Sequence, residues 1–276
     1  MDERFLPRLP LKNWVNDFVD FLKEYLQGFF DVVATVIESV ADFFVFILQI
    51  GHPFLLIIVI SLIAWWTAKW KVAVFSFLGL WLINNLGYWV ELTQTLSLIL
   101  ISVIISILIG IPIGIWMSQK NAVRSVVTPI LDFMQTMPAF VYLIPAVVFF
   151  GLGMVPGVIA TVIFAMPPTV RLTDLGIRQV PGELIEAANA FGSTTGQRLS
   201  KVQIPLATPT IMAGINQSIM LSLSMVVIAS LVGAPGLGTI VYRAVTQIKI
   251  GLGFEGGLSL VIIAMILDRI SQGIKK

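Results

Sequence analysis

Residues 98–116 read LILISVIISILIGIPIGIW, nineteen consecutive positions without a charge. A helix needs about 20 mostly apolar residues to cross a bilayer, so a run of this length is built for lipid. The constraint recurs along the chain. Apolar segments at 53–67, 72–89, 91–117, 128–151, 155–170, 211–232 and 256–270 make seven candidate spans. Only 12% of the residues are charged, too few to cover the surface of a soluble protein of 276 residues. Within lipid each backbone N–H and C=O must be satisfied inside its own segment, which favours helices. The chain therefore reads as all-α, a polytopic membrane helix bundle.

Several function classes drop out. There is no cysteine, hence no disulfide framework and no thiolate chemistry. A single histidine, His52, argues against a His-based metal site, and no metal ligands are expected. His52 precedes Pro53 and reads as a helix-start residue. A net charge of +2 gives no footprint for nucleic acid. The first ten residues, MDERFLPRLP, lack the apolar core of a cleaved leader. No G-x-x-x-x-G-K-[ST] phosphate loop occurs; GSTTGQ at 192–197 has neither the spacing nor the lysine. The chain is thus expected to be non-catalytic and without a cofactor of its own.

Basic residues orient the spans. With the hydrophilic stretch 171–209 inside the cell, the inner side receives Lys69, Lys71, Lys120, Arg124, Arg171, Arg178, Arg198, Lys201, Arg269, Lys275 and Lys276. The outer side receives Arg4, Arg8, Lys12, Lys23, Arg243 and Lys249. Eleven against six places the N-terminus outside and the C-terminus in the cytoplasm. Residues 1–50 form a tail in which eight acids outnumber four bases. Trp14, Phe18, Phe21, Leu22, Tyr25 and Phe29 recur at helical steps within it. Such a helix lies on the membrane surface or packs on the outer rim of the protein. Residues 51–89 supply two peripheral spans, and 90–272 a core of five spans with the loop 171–209.

That loop is long for a membrane protein and hydrophilic throughout. Pro181 can open a helix, and Glu183 favours its positive N-terminal end. Leu184, Ala188 and Phe191 share one face, and Gly192 can end the helix. A second short helix over 195–202 is expected to stop at Pro205. The sequence Glu186-Ala187-Ala188, three residues, Gly192, nine residues, Val202-Gln203-Ile204-Pro205 resembles the EAA motif of ABC importer permeases, E-A-A-x3-G-x9-I-x-L-P. Val202 and Ile204 depart from it conservatively. LDFMQTMPAFVYLIP (131–145), FAMPPTVRLTDLGIRQVP (164–181) and MAGINQSIMLSLSMVVIASLVGAPGLG (212–238) narrow the likeness. They resemble permeases of glycine betaine/proline (quaternary ammonium) importers of the binding-protein-dependent type I family, over about 72–270.

The resemblance implies a type I ABC importer permease fold in a bacterial plasma membrane, serving osmoprotection. It implies a homodimeric pore, two cytoplasmic ATPase subunits that bind the ATP, and an extracytoplasmic binding protein or lipoprotein. Glu183, Glu186, Ala187, Ala188, Phe191, Gly192 and Pro205 would form the coupling element that docks in the ATPase. Another small solute, such as an amino acid, or a non-transport membrane scaffold are the alternatives.

Polar groups at membrane depth are costly and face a cavity or a partner helix. Gln135, Thr136 and Tyr142 in 128–151, and Asn216, Gln217 and Ser224 in 211–232, are candidates for the translocation path or the dimer seam. Serines such as Ser218 and Ser222 suit helix–helix glue. Asp132 suits a helix contact at the cytoplasmic end. Pro112, Pro138, Pro145, Pro167 and Pro168 mark points where a span can bend. Gly233, Gly236 and Gly238 suit either a folding outer loop or plain turns. The seven tryptophans are scattered and supply no aromatic cage for a quaternary ammonium.

Overall fold

The computed structural model describes residues 9–273. Arg4, Arg8, Lys275 and Lys276, used in the charge count, lie outside the described residues, as do Asp2 and Glu3. Among the described residues the chain is helical throughout and has no strand.

Helix α1 (Leu11–Gln49) contains the expected amphipathic segment and extends it at both ends. Its charged and apolar residues sort into three stripes. Asp17, Asp20, Glu24, Asp31, Glu38 and Asp42 fall along one edge at helical spacing. Trp14, Phe18, Phe21, Tyr25 and Phe29 stand exposed on a second. The third packs on the bundle: Ile37 and Ala41 are buried, and Phe30 stacks on Phe149 with centroids 4.5 Å apart. Gln49 Nε2 donates to Thr93 Oγ1 at 2.9 Å, and Ser97 Oγ donates to the Ala41 carbonyl at 3.2 Å. The tail thus packs on the rim along one side while presenting its aromatic stripe outward. The packed side agrees with the reading of a helix held on the protein's rim.

Helices α2 (Pro53–Ala68) and α3 (Trp70–Asn85) form a hairpin turning on Lys69, which adopts φ 76°. His52 caps α2, its Nδ1 accepting from the Phe54 N–H at 3.4 Å. Each helix has 16 residues, or about 24 Å at about 1.5 Å per residue, short of the hydrocarbon thickness of about 30 Å. Among the described residues four unbent helices are long and apolar enough to cross: α4 (Trp89–Gln119), α7 (Met154–Arg178), the run 195–232, and α12 (Ile250–Gly273). They contain the expected spans 91–117, 155–170, 211–232 and 256–270.

The segment 128–151 is not one straight helix, although its two halves together are long and apolar enough to cross. It forms α5 (Asn121–Thr136) and α6 (Ala139–Phe150), which meet at 100°. Pro138 sits at the break, extended at ψ 134°, and cannot donate the N–H that would carry α5 onward. By contrast Pro112, Pro145, Pro167 and Pro168 lie inside unbroken helices.

Helix α7 is the centre of the molecule, held between α4 and α10 (Ile204–Ala229). Close approach requires small residues at the crossings. A Cβ on Gly114 of α4 would stand 2.6 Å from the Val170 carbonyl oxygen, and one on Gly214 of α10 2.9 Å from that of Pro168. Thr169 and Ser218 hydrogen-bond across the α7–α10 contact at 2.7 Å, and Ser218 also bonds the Ala165 carbonyl. Ser218, fully buried, thus glues α7 to α10, whereas Ser222, also fully buried, bonds back to the Ser218 carbonyl within α10. A 3₁₀ turn (Ser230–Val232) and α11 (Leu237–Thr246) then lead into α12. Gly233 and Gly236 have φ of 85° and 130° and serve as turns there.

Candidate coupling hairpin and translocation path

The hydrophilic stretch 171–209 is less loop than expected. Helix α7 runs on to Arg178, and α8 (Gly182–Ala190) and α9 (Thr195–Arg198) fill most of the rest. Pro181 opens α8 with φ −54°, and Glu183 lies in its first turn, where the helix dipole favours a negative charge. Gly192 closes it at φ 75°: its N–H bonds the Asn189 carbonyl and that of Ser193 the Ala188 carbonyl. This paired 5→2 and 6→1 arrangement is the Schellman cap, for which glycine is favoured.

Thr194 then caps α9 reciprocally with Gln197. Thr194 Oγ1 accepts the Gln197 N–H at 3.3 Å, and Gln197 Oε1 accepts the Thr194 N–H at 2.9 Å. Arg198 donates to Asn189 Oδ1 at 3.0 Å, pinning the two short helices together. Helix α9 does not stop at Pro205. It passes through a π-turn at Leu199–Gln203 into α10, with Pro205 in the first turn of that helix. The wider turn relieves the clash of the proline ring with the carbonyl four residues back.

No residue of α8 is buried. Glu183, Glu186 and Ala187 are exposed, Ala188 is half-buried, and Phe191 is 93% exposed. The apolar face of Leu184, Ala188 and Phe191 is therefore presented outward rather than packed on the chain's own helices. An aromatic left in the open beside small residues is the make-up of an interface anchor.

Two ion pairs tie α5 to α7. Arg171 donates to Asp132 Oδ1 at 2.5 Å. One turn along α7, Asp174 receives Arg124 Nε at 3.2 Å and Arg178 Nε at 2.7 Å. Arg178 also donates to the Met117 carbonyl at the end of α4, at 2.6 Å. The polarity is crossed: α5 contributes Arg124 and Asp132, α7 contributes Asp174 and Arg171. Asp132 is thus a helix contact, as its position in the sequence implied.

The path candidates divide. Gln135, Asn216 and Gln217 line one cleft of about 450 Å³, together with Pro168, Met220, Leu221 and Asp268. Thr136 and Ser224 are exposed but do not line it, and Ser224 bonds back to the Met220 carbonyl at 3.2 Å. Tyr142 is buried elsewhere; its hydroxyl bridges the α5–α6 bend by donating to the Met134 carbonyl. Asp268 escaped the sequence reading because it lies among the last charges of the chain, where a cytoplasmic end is the ordinary explanation. The Thr194–Gln197 capping box is legible in the sequence as T-x-x-Q.

The chain is 59% identical to the glycine betaine transport system permease protein OpuAB of Bacillus subtilis (strain 168) over 270 residues, 98% of this chain and 96% of that protein. It is 54% identical to the glycine betaine/carnitine transport permease protein GbuB of Listeria monocytogenes serotype 1/2a (strain 10403S), over 98% of this chain and 97% of that one. Among solved structures, an inward-facing conformation of the MetNI methionine ABC transporter superposes with a TM-score of 0.61 at 22% identity. That match covers 71% of this chain and 97% of the other, and shows the fold. Residues 106–274 match the binding-protein-dependent transport system inner membrane component. This chain belongs to that family, as a multi-pass, non-catalytic permease subunit of an ABC importer.

Proposed function

We propose that this permease carries glycine betaine, or a closely related compatible solute, into the cell. Two copies form the pore, two ATPase subunits bind the ATP, and an extracytoplasmic binding protein delivers the solute. The printed functions of its relatives support the cargo. The excess of basic residues on the side of the α8–α9 hairpin supports a cytoplasmic hairpin and C-terminus with an outer N-terminus.

The observation that carries the coupling role is the exposure of Phe191 and Glu186 on a hairpin that follows α7 after three residues and runs through unbroken helix from α9 into α10. Movement of a docked ATPase is transmitted to the two helices that form the centre of the bundle. Glu186 is the polar anchor, Ala187 and Ala188 the close-approach surface, Phe191 the apolar plug, and Gly192 with Pro205 the ends of the moving unit. In reconstituted vesicles, Glu186→Lys should abolish both labelled-betaine uptake and solute-stimulated ATP hydrolysis. Phe191→Ala should weaken ATPase association by about 2 kcal/mol. Survival of both activities in the Glu186→Lys transporter would show that the hairpin does not couple.

A further inference from the structure

The cleft between α5, α10 and α12 is lined by three carboxamides, Gln135, Asn216 and Gln217, and one carboxylate, Asp268. Asp268 lies on α12, five positions before its end at Gly273, and its Oδ1 accepts from Gln272 Nε2 at 2.7 Å. An ionised carboxylate within a spanning helix is expensive, and its usual place is on a substrate path or opposite a partner. Arg269, the next residue, lines a separate cleft with Trp65, Trp66 and Lys69, so its cation is turned away from the Asp268 site.

We infer that this cleft is a transit site for a zwitterion, in which Asp268 attracts a quaternary ammonium group and the carboxamides of Gln135, Asn216 and Gln217 hold its carboxylate. The inference rests on the cargo proposed above and adds the residue that reads its charge. A quaternary nitrogen has no hydrogen to donate, so it is recognised by an aromatic face or by a negative charge. No aromatic side chain lines this cleft, which leaves the carboxylate. Amide N–H groups supply the complementary donors. A single charge contact and a few neutral hydrogen bonds give modest affinity, as a solute in passage requires.

The test uses the permease–ATPase complex in lipid nanodiscs, with binding followed by equilibrium dialysis. Glycine betaine is compared with 3,3-dimethylbutyrate, which keeps the shape and the carboxylate but has carbon in place of the cationic nitrogen. The wild-type complex should prefer betaine by about fivefold. Asp268→Asn should bring the ratio to about one, and Asp268→Glu should keep the preference. Gln217→Glu is independent of the Asp268 side chain. It should weaken both carboxylated ligands and strengthen binding of choline, a cation without a carboxylate. A preference for betaine that survives Asp268→Asn, or a Gln217→Glu complex that discriminates as wild type does, would overturn the site while leaving the proposed cargo intact. Absence of betaine uptake by wild-type vesicles would overturn the cargo, and this site with it.

Discussion

Two residues show how much single contacts decide in this bundle. Gly114 lets α4 and α7 touch: an added Cβ would press on the Val170 carbonyl and on Thr173 Cβ, both at 2.6 Å. Backbone cannot retreat there, because α7 is already held by α10 on its other side. Gly114→Val should cost about 1–3 kcal/mol by overpacking, read as a lower thermal midpoint of the purified subunit. Tyr88, in the turn between α3 and α4, makes the opposite kind of contact, since its hydroxyl donates to Glu255 Oε2 at 2.5 Å. That hydrogen bond, then burial and the charges of Glu255 and Glu91, push the phenol from 10.0 up to about 12. A folded-state value above the ordinary one means stability that is complete below pH 10 and lost as pH rises through about 12. Tyr88→Phe should remove this part of the alkaline decline in thermal midpoint. Parallel curves for wild type and Tyr88→Phe between those pH values would show that the bond contributes nothing.

At the scale of elements, the crossed ion pairs make α5 follow α7. Helix α7 ends three residues before α8, and α5 ends at the bend carrying Gln135, so under the proposed coupling a shift at α8 should reach the cleft through these ties. The Arg171–Asp132 pair is half exposed, so each single reversal, Asp132→Arg or Arg171→Asp, should cost only about 1 kcal/mol in stability. Its larger effect should be on betaine uptake per ATP hydrolysed. Combining the two reversals restores the pair and should recover the wild-type ratio; a double variant as poor as either single would mean the tie transmits nothing. Much of this arrangement was legible beforehand. Long uncharged runs revealed α4, α7, α10 and α12, because hydropathy measures what lipid demands. The same measure is blind to direction, so 128–151 read as one span although Pro138 turns it through 100°. Pro205 looked like a helix end for the converse reason, since a π-turn that absorbs a proline has no pattern of apolar residues. The outward face of α8 was legible because Leu184, Ala188 and Phe191 obey helical spacing. The cleft was legible only in pieces, because Gln135, Asn216 and Asp268 lie on three helices whose contact no local pattern records.

On the scale of the whole molecule, the outer surface of α10 shows where the subunit is incomplete. Leu206, Pro209, Gln217, Met220 and Ser224 follow one another at three-, four- and eight-residue steps, and all are exposed. A stripe that carries Gln217 into a spanning helix is poorly matched to hydrocarbon, which has no partner for its amide, although Ser224 bonds back to the Met220 carbonyl. The exposed face of α2, with Leu55, Val59 and Leu62, is by contrast wholly apolar and suits lipid. The α10 stripe therefore belongs at the pore or the seam between two copies, where water or the second subunit meets the polar groups. The absence of cysteine makes this directly testable with single-cysteine variants. In the assembled transporter, Met220→Cys and Ser224→Cys should give dimers with a short bifunctional thiol reagent, while Leu62→Cys should remain monomeric on a denaturing gel. Under the proposed coupling of α8 to an ATPase pair, yields should respond to nucleotide. Equal cross-linking from α2 and α10 would place the stripe against lipid, and the polar residues on it would then need a partner other than a second copy.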